Sequence, residues 1–375
     1  MIESFLRPLA ARGRPLLGRV AITLYAFAAI HLKGSPIPIP VLVIATYETG
    51  SDRGDVPGEL QYWVERDHLD TSIDVPGLDH PLLTDGKGLY AMVSGTTGRC
   101  ALQMMALAAD PRYDLRKTYF LLSGIAGADP ATASLACAAW IQTVVDGNPA
   151  FEIDSREIPP GWPYGLVAFG AKEPGKGSKD VDSVPAAGAA DNGSGGVGTV
   201  AFALNPRLVD WAYNLTREVP IPDDPAMAAS RARFVPFPNA MRPPFVLKGD
   251  SLGADRFWHG RQMARWAEEW VSLYTRGSGR LAMSDCEDQG VCIAVKQLQK
   301  MRKANFSRLL ILRTSCNFVI PPPGVTPADG LFGDTVSESG GIAYLPALEA
   351  AFGIGNVVAA ELVKASEADR DPTGY

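Results

Sequence analysis

The sequence predicts an α/β fold, a sheet with a parallel core and helices on both faces. Two observations carry that expectation. Short apolar runs rich in β-branched residues recur along the chain with no polar alternation, as strands covered on both faces require. Stretches with apolar residues at helical spacing follow several of them, and strands alternating with helices read as parallel units. The length of 375 residues and a 46% hydrophobic content allow a sizeable core, so disorder is not the starting assumption.

From the N-terminus, the first segment is VAITLYAFAAIHL (20–32), preceded by Arg7, Arg12, Arg14 and Arg19. It is too short for a bilayer, which takes about 20 apolar residues, but it has the layout of a secretory signal. Residues 1–35 are therefore expected to be a leader, with export to the periplasm or cell envelope; a surface helix of a cytoplasmic protein is the alternative. The alternating prolines Pro36, Pro38 and Pro40 make a stiff extended connection. A domain over 36–365 follows, with a tail over 366–375. Nothing downstream of residue 35 reads as apolar for long enough to cross a membrane.

VLVIATYE (41–48) reads as the first buried strand, LYAMVSG (89–95) as the second with a helix beginning near Arg99, and TYFLLSGIAG (118–127) as a third that ends in glycines. Residues 173–198, rich in Gly, Ala, Ser and Pro, read as a mobile surface loop. Near the C-terminus, LAMSDCEDQGVCIAVKQLQKM reads as strand, turn and helix, and RLLILRTSCNF (308–318) as a last buried strand.

The net charge of −6 with dispersed Lys and Arg offers no field for phosphates, so nucleic acid is not an expected partner. The five cysteines read as buried thiols, and with four scattered histidines they form no zinc spacing. No metal or cofactor is expected.

Ligands on such sheets sit beyond the carboxyl ends of strands, which directs attention to four features. The turn holding Gly95, Thr96, Thr97 and Gly98 opens a helix, where backbone N–H groups can hold an anion or hydroxyl. At Ser123, Gly124, Ala126 and Gly127, missing side chains would let a ligand, or a packed helix, approach the backbone. Asp285, Glu287 and Asp288 stand at a strand-to-helix turn, where carboxylates suit the helix dipole and could equally accept from ribose hydroxyls. Asn317 carries both a donor and an acceptor for a purine edge, or is a turn residue just past a strand. Phe257 is a candidate base wall, whereas Trp258, Trp266 and Trp270, near helical spacing, read as core.

In this order the segments resemble the purine nucleoside permease family, which is similar in turn to the nucleoside phosphorylase and nucleosidase superfamily. The stretch EIDSREIPPGWPYG (152–165) resembles the permeases themselves, and SGTTG, SGIAG, EDQG and RTSCN resemble the wider superfamily's ligand segments. The resemblance implies a three-layer, nucleoside phosphorylase-like fold, a twisted mixed sheet flanked by helices, binding a purine nucleoside. It implies a phosphate or ribose role for the glycine turn, a base pocket at SGIAG, a ribose clamp in Glu287 and a purine contact in Asn317. Glu48 is the match to a nucleosidase general base.

An amide cannot protonate a leaving base but can stabilise charge on it, so Asn317 weakens the catalytic reading without removing it. Arg99 and Arg313 are the only arginines beside these segments, which favours hydrolysis over phosphorolysis. The expected activity is cleavage of the N-glycosidic bond. The alternative is a non-catalytic nucleoside-binding component of uptake beside a membrane transporter, and self-association is compatible with either.

Overall fold

A mixed sheet of ten strands forms the centre of the computed structural model, which describes residues 35–177, 199–335 and 341–374. The expected leader, and residues 178–198 of the expected loop, lie outside the described residues. In chain order the first elements are β1 (Ile37–Pro38), β2 (Val41–Ala45), α1 (Gln61–Arg66), β3 (Thr71–Ile73), β4 (Leu82–Thr84) and β5 (Leu89–Val93). Then come α2 (Thr97–Ala109), β6 (Tyr113–Asp114), β7 (Tyr119–Ala128), β8 (Ala138–Asp146), β9 (Ala150–Glu152), β10 (Leu166–Ala168) and β11 (Ala201–Ala203). The second half holds α3 (Pro206–Thr216), α4 (Pro225–Arg231), β12 (Val246–Gly253), α5 (Arg261–Tyr274), β13 (Leu281–Asp285), α6 (Asp288–Lys300), β14 (Leu309–Phe318), α7 (Pro327–Gly330) and α8 (Tyr344–Glu367).

All five residues of β2 are buried, which is why its sequence shows no alternation: both faces are covered. It pairs in parallel with β5 and β7, and β7 pairs in parallel with β14. Antiparallel pairs join β7 to β13, β8 to β14 and β8 to β11. Because β12 pairs with both β8 and β13, the pairing β7–β13–β12–β8–β14 returns to β7 and closes a ring. The sheet is therefore mixed, and part of it curls on itself with the flanking helices outside.

Two expectations about strand ends are corrected. SGIAG is not a turn after a strand but the second half of β7, and Asn317 lies inside β14 rather than beyond it. Apolar length alone located these strands, and partner strands reaching from far along the chain extend the pairing through the glycines. The tryptophan expectation holds: Trp258, Trp266 and Trp270 are buried and pack edge-on or tilted, with centroids 5.9 and 5.8 Å apart.

A third correction concerns membrane-length segments. Helix α8 has 24 residues and a window of mean hydropathy 1.3, long and apolar enough to cross a bilayer by length and composition. Its alanines and glycines let it lie close on β7 and β14, and over half of the window is buried inside the fold. A helix covered on most sides is apolar on most sides, so composition does not separate the two situations. The helix also runs two residues past the expected domain end at 365.

Candidate functional site

The carboxyl ends of β7, β13 and β14 meet at Gly127, which pairs with Ser284 on one side and Asn317 on the other. The β14 register slips between Ser315 and Asn317, leaving Cys316 as an extra residue opposite β7. Such a bulge re-aims the side chains beside it. It carries Asn317 into a wall between two hollows. One, about 270 Å³ with its mouth, is bounded by Gly127, Phe257, Asp285, Cys286 and Asn317; the other, about 370 Å³, lies against Phe234, Cys316 and Pro321. A methyl group on Gly127 would come within 2.9 Å of Val319 and 3.3 Å of Asn317 Nδ2, so glycine lets these two side chains pack closely over the strand.

Asn317 is 7% exposed; its Nδ2 donates to the Phe318 carbonyl at 3.0 Å and its Oδ1 accepts from the Cys316 thiol at 3.1 Å. One of its two N–H bonds is committed within the chain, and the amide remains a donor for a ligand at the first hollow. Phe257 bounds the same hollow with 61% of its surface exposed, as a wall open to solvent on one side.

Beneath this floor lies a buried charge cluster. The Arg313 guanidinium, with no exposed side-chain surface, donates through Nη2 to Glu287 and through Nε to Asp288, both at 2.9 Å. Asp285 and Glu59 stand 3.5 and 3.8 Å from it. Four carboxylates thus surround one cation. Burial, and behind it the neighbouring Asp285 and Glu59, pushes Glu287 up to about 7 against the pull of Arg313. Burial also raises Asp288 and Glu59. For Arg313 burial works in the opposite sense, but the surrounding carboxylates outweigh it and hold the charge.

The expected site residues divide accordingly. Gly127, Phe257, Asn317 and the turn at Glu287 come together. Glu287 keeps 12% of its side chain exposed, and its Oε2 also accepts from the Cys286 N–H at 3.2 Å. The turn holding Gly95, Thr96, Thr97 and Gly98 packs against this region, since Thr97 Oγ1 donates to the Cys286 carbonyl at 2.7 Å and accepts from Gln289 Nε2 at 2.7 Å. Gly95 adopts φ +71°, which lets the chain turn into α2.

Other expectations fail. Ser123 Oγ faces α8 and donates to the Ala351 carbonyl at 3.3 Å, so it is packing, not ligand contact. Gly124 leaves space for Glu59 and Arg313, whose atoms would lie 2.3 and 2.7 Å from a Cβ there. Ala126 is buried, and its carbonyl accepts from the Cys316 thiol at 3.4 Å. Asp288 is fully enclosed, held by Ser251 Oγ at 2.6 Å and by Arg313. Glu48 is not poised as a base: its two oxygens accept from the backbone N–H groups of Thr49, Gly58, Leu60 and Gln61 at 2.5 to 2.8 Å and hold the entry to α1.

The inward carboxylate is Glu59, which sequence reasoning missed. It accepts from the Thr46 N–H at 2.7 Å, the Thr46 hydroxyl at 2.6 Å and the Ile125 N–H at 2.7 Å. It sits in an irregular segment with no periodic pattern, so nothing local marked it. Arg99 is exposed and paired with Asp79 at 3.0 Å.

Comparison with known proteins gives the following. A profile described as purine nucleoside permease matches residues 38–369. A purine nucleoside permease of Candida albicans is 26% identical over 284 residues, which span 73% of this chain and 66% of that one. The chain thus covers just under two thirds of that relative's length. A probable purine nucleoside permease of Schizosaccharomyces pombe is 27% identical over 251 residues, 64% of this chain and 68% of that one. Among solved structures, the 5′-methylthioadenosine/S-adenosylhomocysteine nucleosidase of Neisseria meningitidis, in complex with methylthio-immucillin-A, shares 11% identity at a TM-score of 0.47, over 87% of this chain and 98% of that one. The futalosine hydrolase of Helicobacter pylori shares 10% at 0.45, over 85% and 96%.

Proposed function

The chain belongs to the purine nucleoside permease family, and from that premise we propose that it binds a purine nucleoside in the hollow where β7, β13 and β14 meet. The observation that carries this reading is the hollow at the strand ends, where Gly127, Ser284, Asn317 and the exposed Phe257 ring come together. A flat heterocycle lies on that floor against the Phe257 ring, and Asn317 donates to the purine N7. Glu287, partly exposed at the neighbouring turn, accepts from the ribose hydroxyls. Calorimetry with inosine, guanosine and adenosine tests the reading. Absence of heat and of any thermal shift with all three nucleosides at millimolar concentration would overturn it.

The finer reading is hydrolysis of the N-glycosidic bond. Asn317 favours it: an amide donor at the floor of the hollow can stabilise the negative charge that develops on a leaving purine. Water adds to the ribose carbon as the C–N bond breaks and the purine leaves as an anion, the water's proton passes to solvent, and Asn317 stabilises the charge developing on the ring. Phosphorolysis draws no support from Arg313, which is enclosed by four carboxylates, or from Arg99, which is paired at the surface.

Chromatography of products, with and without phosphate, tests this step. Free base and ribose formed independently of phosphate mark hydrolysis. Binding without products favours the non-catalytic reading, a nucleoside-binding component.

A further inference from the structure

Three buried polar atoms around the hollow at Gly127 have no hydrogen-bond partner: Asp285 Oδ2, Arg256 Nη2 and Trp258 Nε1. Asp285 has no exposed side-chain surface. Its Oδ1 is fully used, accepting from the Glu287 N–H at 3.0 Å and the Asp288 N–H at 2.8 Å, where it caps the first turn of α6. Its Oδ2 has no N–H or hydroxyl donor, although the Asp288 carboxyl stands within hydrogen-bonding reach of Asp285. Arg256 rests over the Trp266 ring, 5.2 Å from its centroid. Among the described residues no ion pair joins Arg256 to Asp285, although both line the same hollow. Buried polar groups are nearly always satisfied, and orphaned atoms of opposite hydrogen-bonding sense around one cavity mark a ligand that supplies both.

We propose that Asp285 and Arg256 together read the edge of the bound base, Asp285 Oδ2 accepting from a ring or exocyclic N–H and Arg256 Nη2 donating to the acceptor beside it. This rests on the purine nucleoside reading above and names the residues that give it base specificity. Asp285 can only accept and Arg256 can only donate, so the pair selects an edge with an N–H next to a lone pair. The N1–H and O6 of a 6-oxopurine have that chemistry, and so do the 6-amino group and N1 of adenine. Purine riboside, with no 6-substituent and no N–H on that edge, lacks the donor.

Asp285→Asn tests this by near-isosteric replacement: the amide oxygen keeps the α6 cap, and the orphaned acceptor becomes a donor. In calorimetry the wild-type protein is expected to bind the better of inosine and adenosine at least about tenfold more tightly than purine riboside. The identity of the better one shows which edge is read. In Asp285→Asn that gap is expected to shrink below about threefold, with Tm within about 2 °C of wild type. Arg256→Met, at a half-exposed position, is expected to shrink the same gap and serves if Asp285→Asn does not fold. Equal weakening of all three ligands in both variants, or a wild-type protein indifferent to the 6-substituent, would overturn this inference alone. If wild type bound none of the three, the nucleoside reading would fall and this inference with it.

Discussion

Glu287→Gln at two pH values separates a ribose clamp from a structural carboxylate. Its carboxyl is raised from 4.5 to about 7, chiefly by burial. Above pH 7 it is ionised and accepts from ribose hydroxyls; at pH 5.5, about 1.5 units lower, roughly 97% of it is protonated in the free protein. Replacing an ionised acceptor by an amide removes about 1 to 3 kcal/mol of hydrogen bonding, or roughly 5- to 150-fold in Kd. That penalty is expected for inosine at pH 8.5 and should shrink to about sixfold or less at pH 5.5, where most of the wild-type group is neutral.

Wild-type affinity for inosine should itself fall between the two pH values, by no more than about 30-fold, the cost of ionising the group at pH 5.5. Affinity for hypoxanthine should hardly change. Stability carries the same signature. An acid raised on folding binds its proton more tightly in the folded state, so its contribution to stability falls as pH rises from 4.5 to about 7, and Glu287→Gln removes that slope. Isothermal titration with nucleoside and base, together with denaturation at both pH values, makes the comparison. A penalty independent of pH, or equal for nucleoside and base, refutes the clamp.

Three further outcomes are expected. Arg313→Met leaves Glu59, Asp285, Glu287 and Asp288 without their shared cation, so chemical denaturation at pH 8 should show a loss of about 3 to 5 kcal/mol that partly recovers toward pH 5 as carboxylates take up protons; an identical loss at both values contradicts the cluster account. Asn317→Asp should move preference from inosine toward adenosine, measured by competition binding, because a carboxylate accepts from the 6-amino group; unchanged preference returns Asn317 to a purely structural role. Glu48→Gln should cost about 1 to 3 kcal/mol of stability through the weakened backbone bonds at 58–61 while leaving nucleoside affinity within about twofold; selective loss of turnover in a fully folded variant would restore Glu48 as the base.

Much of the architecture was legible because it depends on near neighbours in the chain. The unbroken apolar run of β2, the helical spacing of α2 and α5 and the acidic start of α6 each state a local environment, and the structure supplies it. The motif residues Gly127, Asn317 and Glu287 were legible as types, since a glycine, an amide and a carboxylate near strand ends have few other joint uses. Their directions were not. The bulge at Cys316 that aims Asn317 exists only because β14 pairs with β7, whose sequence lies almost two hundred residues earlier.

The sequence by itself determined the layered α/β plan and the neighbourhood of the site. The tertiary structure decided which of two glutamates in one segment turns inward. Glu48 and Glu59 have the same chemistry, but Glu48 finds its partners in local backbone N–H groups, whereas Glu59 finds Ile125 on β7 and Arg313 on β14. A side chain's role is fixed by the partners that satisfy its charge, and for Glu59 those partners arrive from strands that only folding brings beside it.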